Sequence, residues 1–224
     1  MVITDKFAYI RMRKCGSESL RAYFEKEFNV KNKVTRKGGS HPSIREFNKE
    51  LKNKLIVSSI RNPWDWYVSI FKWHQKWRDK DNNPRFNCFI KNDNFEDYLD
   101  KLLINQNKCK STTYINFDTM KKLDIGLFTL VYLELLGDKE FNQYNKKNFT
   151  GLPNIDYFIK LEDINDGIKN LFKEINYTNY NIDNLPNLNK TNHKPYKEMY
   201  INDDMIKLVE YKERFIIEKF NYQF

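Results

Sequence analysis

Basic and hydroxyl side chains cluster near the start of the chain, where an apolar run gives way to helical spacing. Residues 13–20 read RKCGSESL, so Arg13 and Lys14 precede one glycine and two serines. The first amides of a helix have no partner within the helix and carry partial positive charge. A glycine lets the backbone curve around an oxyanion, and Lys14 adds a full charge at the rim. This pattern predicts a cradle for a phosphate or sulfate group.

A second pair of anion-binding side chains follows the best strand pattern in the chain. Residues 61–71 read RNPWDWYVSIF, with Arg61 at the predicted strand end and Ser69 inside the next helix. A guanidinium can bind a phosphate through two parallel hydrogen bonds. Ser69 lies about two turns into the helix, on the surface that returns toward the strand end. Arg61 and Ser69 are therefore predicted to contact one phosphate beside the first cradle.

Short apolar runs alternate with helical spacings, and this alternation predicts the scaffold that positions both motifs. The predicted strands are Phe7–Met12, Leu55–Ile60 and Tyr157–Lys160. Two predicted helices are capped by Ser17 and Ser43, and a third begins at Pro63. Two more are predicted over Phe95–Leu103 and Met120–Leu136, another follows the third strand, and the last starts near Asn202. These crossovers favour an α/β fold with a central, mostly parallel sheet flanked by helices. Ligands of such sheets bind outside the carboxyl ends of the strands, where both motifs lie.

The composition limits the class of protein and its partners. A chain of 224 residues with 40% hydrophobic and 16% aromatic residues is not disordered, and its net charge of +9 favours an anionic partner. Three cysteines without CxxC spacing fit a reducing compartment, and together with three scattered histidines they predict no metal site. The sequence has no membrane-spanning apolar run, and its first residues are too charged for a signal peptide. A cytoplasmic protein is therefore expected.

The two motifs together resemble the cofactor signatures of sulfotransferases that use 3′-phosphoadenosine-5′-phosphosulfate (PAPS). The closer similarity is with the carbohydrate-type branch, whose pattern is approximately PKxGxTSL, a histidine before a helix, and then RNPxxRxxSxY. The segment NLNKTNHKPYK, from Asn187, also resembles the end of that branch. The resemblance extends over residues 7–224 and is weakest in the middle third. It implies one P-loop-like sulfotransferase domain over residues 1–224, with a helical insertion around 78–150.

The resemblance also implies a role for each motif residue. Lys14 would contact the bridging oxygen and stabilise the leaving phosphate, while its neighbours would hold the 5′-phosphosulfate. Arg61 and Ser69 would hold the 3′-phosphate. The implied cofactor-binding set is Arg13, Lys14, Cys15, Gly16, Ser17, Glu18, Ser19, Arg61 and Ser69. A later loop is a candidate cofactor or acceptor contact through Asn189, Lys190, Thr191 and His193.

Transfer to a hydroxyl requires a base, and a histidine of near-neutral pKa suits that task. His41 lies just before a predicted helix, in the neighbourhood where the family often has its base. Lys14 and His41 are therefore the predicted catalytic residues. Glu46 is a second candidate for the base, although its spacing from Ser43 is also that of a capping box.

Three positions depart from the family pattern. Arg13 replaces the usual proline, Glu18 stands where threonine is common, and Trp66 replaces the usual arginine. A carboxylate at position 18 is unfavourable for a phosphosulfate unless it is turned away. Trp66 is expected to pack in the core.

The prediction is an enzyme that transfers a sulfuryl group from PAPS to an acceptor hydroxyl, which leaves 3′-phosphoadenosine-5′-phosphate (PAP). Glycans, tyrosines, lipids and small metabolites are acceptor classes, and the basic charge favours an acidic glycan. A kinase-like phosphate-handling transferase is an alternative, but the GxxxxGK[ST] loop is absent. A non-catalytic nucleic-acid-binding module is another alternative, supported by charge and aromatic content. Because the aromatic residues fall at the helical spacing of a core, no nucleic-acid partner is expected. The oligomeric state stays open.

Overall fold

The computed structural model describes residues 1–30, 43–47, 50–81, 93–106, 116–137, 143–144, 155–188 and 194–224. Backbone contacts divide the chain into two compact units, each assembled from three segments. The first, here called the sheet unit, comprises Met1–Arg61, Tyr132–Lys139 and Pro153–Lys190. The second, the helical unit, comprises Asn62–Val131, Glu140–Leu152 and Thr191–Phe224.

The sheet unit holds the strands of the described chain in a single sheet. Their order is β1 (Val2–Ile3), β2 (Phe7–Ile10), β3 (Leu55–Ile60) and β4 (Tyr157–Lys160). β1 is antiparallel to β2, whereas β2, β3 and β4 pair in parallel. This confirms the predicted α/β class with a mostly parallel sheet flanked by helices.

The parallel strands end at the same edge of the sheet. Ile10 lies opposite Ser58, and Ile60 lies opposite Lys160. The residues that follow β2, β3 and β4 therefore leave the sheet side by side. β2 ends at Ile10 and not at the predicted Met12, and two residues without regular structure separate it from the turn at 13–16.

Two helices of the sheet unit pack on the sheet through a shared aromatic core. They are α1 (Ser17–Glu27) and α6 (Ile164–Glu174). Phe24 of α1 contacts Phe7 of β2 edge-on, with ring centroids 5.1 Å apart. Phe172 of α6 joins the same cluster, 6.2 Å from the ring of Phe24. The core thus fixes α1, and with it the turn that precedes α1, against the sheet.

The helical unit contains most of the remaining helices. They are α2 (Pro63–Asp81), α3 (Phe95–Leu103), α4 (Phe117–Leu123), α7 (Asp203–Lys212) and α8 (Arg214–Phe220). A further helix, α5 (Leu127–Leu136), has its first five residues in this unit and the others in the sheet unit. None of the helices in the described ranges has both the length and the apolar character that crossing a membrane requires.

Several predicted element boundaries are wrong. The predicted helix Met120–Leu136 is two helices, because Asp124 adopts a left-handed conformation with φ of 56° and ends α4. The C-terminal helix is divided at Glu213 into α7 and α8. Helix α2, which was predicted to begin at Pro63, covers Pro63–Asp81.

The break at Glu213 has a tertiary cause in the helical unit. The fully buried carboxylate accepts hydrogen bonds from the amides of Phe128 (2.9 Å) and Thr129 (2.8 Å) and from the Thr129 hydroxyl (2.6 Å). The Tyr67 hydroxyl donates to the same carboxylate at 2.5 Å and accepts from the Leu127 amide at 2.9 Å. The first three amides of α5 are thus capped by side chains from α2 and from the α7–α8 junction.

Candidate functional site

Two residues in the turn between β2 and α1 have a left-handed backbone conformation. Lys14 has φ of 61°, and Gly16 has φ of 70° and ψ of 13°. Gly16 is the N-cap of α1, which corrects the prediction that Ser17 caps this helix; Ser17 is instead its first residue. Since glycine has no side chain, the first turn of α1 receives no side-chain cap. The amides predicted to bind an anion therefore start the helix without a competing cap at this position.

Gly16 also has close side-chain neighbours. A Cβ atom at this position would lie 2.7 Å from Cδ1 of Leu161 and 3.6 Å from Cδ1 of Ile164. Both neighbours follow β4, so the β2–α1 turn packs directly on the β4–α6 turn. A larger residue would have to push this contact apart as well as adopt an unfavourable backbone conformation.

Arg61 joins the same edge of the sheet from β3. Its Nη1 atom donates a hydrogen bond of 3.2 Å to the carbonyl oxygen of Lys14. Both residues are half-buried. The structure therefore brings the guanidinium of Arg61 against the backbone of Lys14, which stands 47 positions earlier in the sequence. The residues that follow β2 and β3 thus meet at one edge of the sheet.

Arg13 and Cys15 flank Lys14 in different ways. Arg13 forms an ion pair of 3.2 Å with Glu134 of α5, and both side chains are mostly buried. Cys15 is fully buried, and its thiol donates to the carbonyl oxygen of Arg13 at 3.4 Å. Because its side chain points into the protein, any contribution of Cys15 to a ligand comes from its backbone.

Glu18, the acidic departure from the family pattern, is held by two arginines. Its Oε1 atom accepts a hydrogen bond from Nη2 of Arg11, and its Oε2 atom accepts one of 3.1 Å from Nε of Arg21. Arg21 also pairs with Glu25 at 2.9 Å. The side chain of Arg11 is only 7% exposed, and burial lowers the pKa of its guanidinium, with the charge of Arg21 lowering it further. An arginine nevertheless stays cationic at neutral pH.

The sequence reasoning missed Arg11. The available signal was a charged residue directly after a fully apolar strand. Its partner Glu18 lies seven positions later, across an irregular turn, so no helical or strand spacing relates the two residues. The Arg11–Glu18 pair links the end of β2 to the first turn of α1.

Ser17 and Ser19 are buried at the start of α1. The Ser19 hydroxyl accepts a hydrogen bond of 3.0 Å from the amide of Leu188. A hydroxyl that accepts in this way keeps its hydrogen for donation to another acceptor. The segment that contains Asn181 and Leu188 packs against α1: the Tyr23 hydroxyl of α1 donates to the carbonyl oxygen of Asn181 at 3.3 Å. This contact segment was not predicted, since nothing in its polar sequence indicates where it packs.

The other predicted site residues divide into three groups. Ser69 belongs to the helical unit, where it is 1% exposed within α2. Glu46 accepts a hydrogen bond of 3.1 Å from the amide of Ser43, which is the capping contact named as its other explanation. The residues outside the described part of the chain are His41, Asn189, Lys190, Thr191 and His193.

Trp66 is a core residue, as predicted. It is fully buried in the helical unit and stacks on Phe128, with ring centroids 4.6 Å apart and planes inclined by 12°. His74, the histidine of α2, is also buried and exchanges a hydrogen bond of 2.8 Å with the Tyr98 hydroxyl. Both side chains pack inside the helical unit.

The arrangement in the sheet unit suits an anion. Lys14, Arg61 and the first amides of α1 meet at one sheet edge, while the carboxylates of Glu18 and Glu134 are each paired with arginine. No cluster of three or more histidine, cysteine, aspartate or glutamate residues able to hold a metal ion occurs in the part of the chain that the structure describes.

Comparisons with protein-family models, with curated proteins and with solved structures find no match to this chain.

Proposed function

We propose that this chain is a sulfotransferase, which transfers a sulfuryl group from PAPS to an acceptor hydroxyl. The observation that carries the proposal is the hydrogen bond between Arg61 and the carbonyl oxygen of Lys14. This contact supports the proposal because it joins two motifs that each resemble a PAPS signature, at the ends of two parallel strands. The resemblance of these motifs supplies the identity of the cofactor.

In the proposed reaction PAPS supplies an activated sulfuryl group whose bond to the bridging oxygen breaks as the acceptor oxygen bonds to sulfur. The ammonium of Lys14 stabilises the negative charge that develops on the departing phosphate. The first amides of α1 and the hydroxyls of Ser17 and Ser19 bind the 5′ end of the nucleotide. Arg61 binds the 3′-phosphate, and Ser69 is assigned to the same phosphate on the resemblance alone.

The charge distribution of the sheet unit supports this assignment. Lys14 and Arg61 supply positive charge at the turn, and the carboxylate of Glu18 is compensated by Arg11 and Arg21. An anionic nucleotide is attracted to such a site, more strongly at low salt than at high salt. His41 is assigned as the base that removes the acceptor proton, and a glycan is the proposed acceptor class.

Ligand-induced stabilisation tests the cofactor directly, because a ligand stabilises only a state that it binds. Thermal unfolding is measured with PAP, ATP or NAD at equal concentration. PAP alone is expected to raise the unfolding temperature, by the equivalent of about 2.7 kcal/mol at a concentration 100-fold above its Kd. An equal shift with ATP favours a kinase-like transferase, and no shift with PAP overturns the proposal. Transfer of labelled sulfate from PAPS to a panel of glycans then tests the reaction.

A further inference from the structure

Glu18 occupies the second position of α1, directly beside the amides that the proposed function assigns to the nucleotide. The residue before the helix is Gly16, which provides no side-chain cap. A carboxylate in the first turn of a helix is attracted both to the unpaired amides and to the positive end of the helix dipole. Glu18 is therefore a potential internal competitor for any anion that binds there.

The two arginines hold this carboxylate in another direction. Nη2 of Arg11 binds one carboxylate oxygen, and Nε of Arg21 binds the other. Both acceptor atoms of Glu18 are thus engaged by guanidinium groups, which form stronger bonds with a carboxylate than neutral amides do. We propose that Arg11 is a positioning residue, which restrains Glu18 and so keeps the first amides of α1 available to an anionic ligand. This inference rests on the proposed function, because it concerns the same cradle.

Arg11 is the more effective of the two restraints. Its side chain is 7% exposed and directly follows β2, so the sheet fixes its position. Arg21 is 29% exposed, lies three residues from Glu18 in the same helix, and divides its guanidinium between Glu18 and Glu25. An exposed pair of this kind contributes little, whereas a buried guanidinium loses more when its partner moves.

A double-mutant cycle on PAP binding separates this role from a direct attraction between Arg11 and the nucleotide. The variants are Arg11→Met, Glu18→Gln and the combination of both, and the Kd for PAP is measured by calorimetry. Arg11→Met is expected to weaken binding about fivefold, since the released carboxylate competes for the amides. Glu18→Gln is expected to improve binding more in the Arg11→Met variant, where it restores most of the loss, than in the wild type.

A purely electrostatic role of Arg11 predicts a different pattern, because Glu18→Gln then has the same effect in both backgrounds. That additive result overturns the inference and leaves the proposed function intact. If the wild type does not bind PAP, the proposed function itself fails. Arg21→Met is the matched control and is expected to weaken binding less than Arg11→Met does.

Glu18→Asp provides a test that leaves Arg11 unchanged, in case the Arg11→Met variant does not fold. The aspartate keeps the charge but is one methylene too short to reach Arg11 in the same way, and aspartate readily interacts with the start of its own helix. The Kd for PAP is expected to rise in Glu18→Asp. Equal affinities of the wild type and Glu18→Asp contradict the inference.

Discussion

Arg61, the residue after β3, donates a hydrogen bond of 3.2 Å to the carbonyl oxygen of Lys14, in the turn after β2. Lys14 has a left-handed backbone, which costs a residue with a side chain roughly 1–2 kcal/mol. The guanidinium of Arg61 thus supports a strained turn while it contributes charge to the same edge of the sheet. The two basic residues are coupled by geometry as well as by the ligand proposed for them.

Lys14→Ala and Arg61→Ala are expected to affect catalysis in different ways. Loss of the Lys14 ammonium removes stabilisation of the leaving group, so kcat is expected to fall by about 100-fold or more. Loss of Arg61 is expected mainly to raise KM for PAPS, by about tenfold for one lost charged hydrogen bond. Initial rates with labelled PAPS measure both parameters. Full activity in both variants contradicts the assigned roles.

Arg61→Lys is the matched control for Arg61→Ala. It keeps the charge but cannot reproduce the planar fork of the guanidinium. A KM between those of the wild type and Arg61→Ala is expected, and circular dichroism of all variants shows whether the turn has remained folded.

Gly16→Ala is expected to lower the free energy of unfolding by about 1–2 kcal/mol. The left-handed backbone, with φ of 70°, is unfavourable for alanine, and the added Cβ meets Leu161 Cδ1 at 2.7 Å. Urea denaturation measures the loss. In a Leu161→Ala background the added Cβ no longer meets the leucine side chain, but the backbone strain remains. Gly16→Ala should therefore lower the free energy of unfolding less in that background than in the wild type, but should still lower it. A neutral Gly16→Ala contradicts the observed conformation.

Glu213 is expected to make stability depend on pH. Burial raises its pKa from the ordinary value of 4.5 to about 7, while hydrogen bonds from Thr129 and Tyr67 partly oppose the rise. Between these two values the folded state binds more protons than the unfolded state. The free energy of unfolding should therefore fall as pH rises from about 4.5 to 7, by about 3 kcal/mol from this group, and then level off.

The Glu213→Gln variant tests this pH dependence, because glutamine keeps the shape of the side chain but does not titrate. Urea denaturation across the same pH range should give a flatter profile than the wild type. Glu218→Gln, which changes an exposed carboxylate on α8, is the matched control and should keep the wild-type slope. An unchanged slope in Glu213→Gln shows that another group is responsible.

Trp66→Arg introduces the arginine that is usual at this position in the family that the motifs resemble, but it is expected to lower the stability of the helical unit. The indole is fully buried and stacked on Phe128. A buried charge without a partner, together with the lost aromatic packing, is expected to cost about 3–5 kcal/mol. Thermal denaturation measures the change, with Trp66→Phe as the conservative control. A stable and more active Trp66→Arg variant contradicts the interpretation of Trp66 as a core residue.

The elements that the sequence predicted correctly have local signals. The helix Phe95–Leu103 has the predicted bounds, and the strands Leu55–Ile60 and Tyr157–Lys160 lie where strands were predicted. The first of these strands is an apolar run that ends just before Pro63, and the helix is capped by Asn94 through its own capping box. Signals contained within about ten residues were sufficient in these cases.

Two of the features that were missed depend on where the folded backbone places a polar side chain. The break at Glu213 exists because its carboxylate caps α5, 84 residues away at Thr129. The pairing of Arg11 with Glu18 depends on a turn whose shape is set by two left-handed residues. Hydrophobic periodicity predicts neither contact, because both depend on the position that the folded backbone gives to a polar side chain.

The capping of α5 by Tyr67 and Glu213 also constrains how the chain can fold during synthesis. When Leu127, Phe128 and Thr129 have been made, Tyr67 is present but Glu213 is not. The amides of Phe128 and Thr129 must remain solvated until the ribosome has added more than 80 further residues. Completion of the helical unit is therefore expected to be a late step that closes a long loop, and a nascent chain stalled before Glu213 should expose the start of α5.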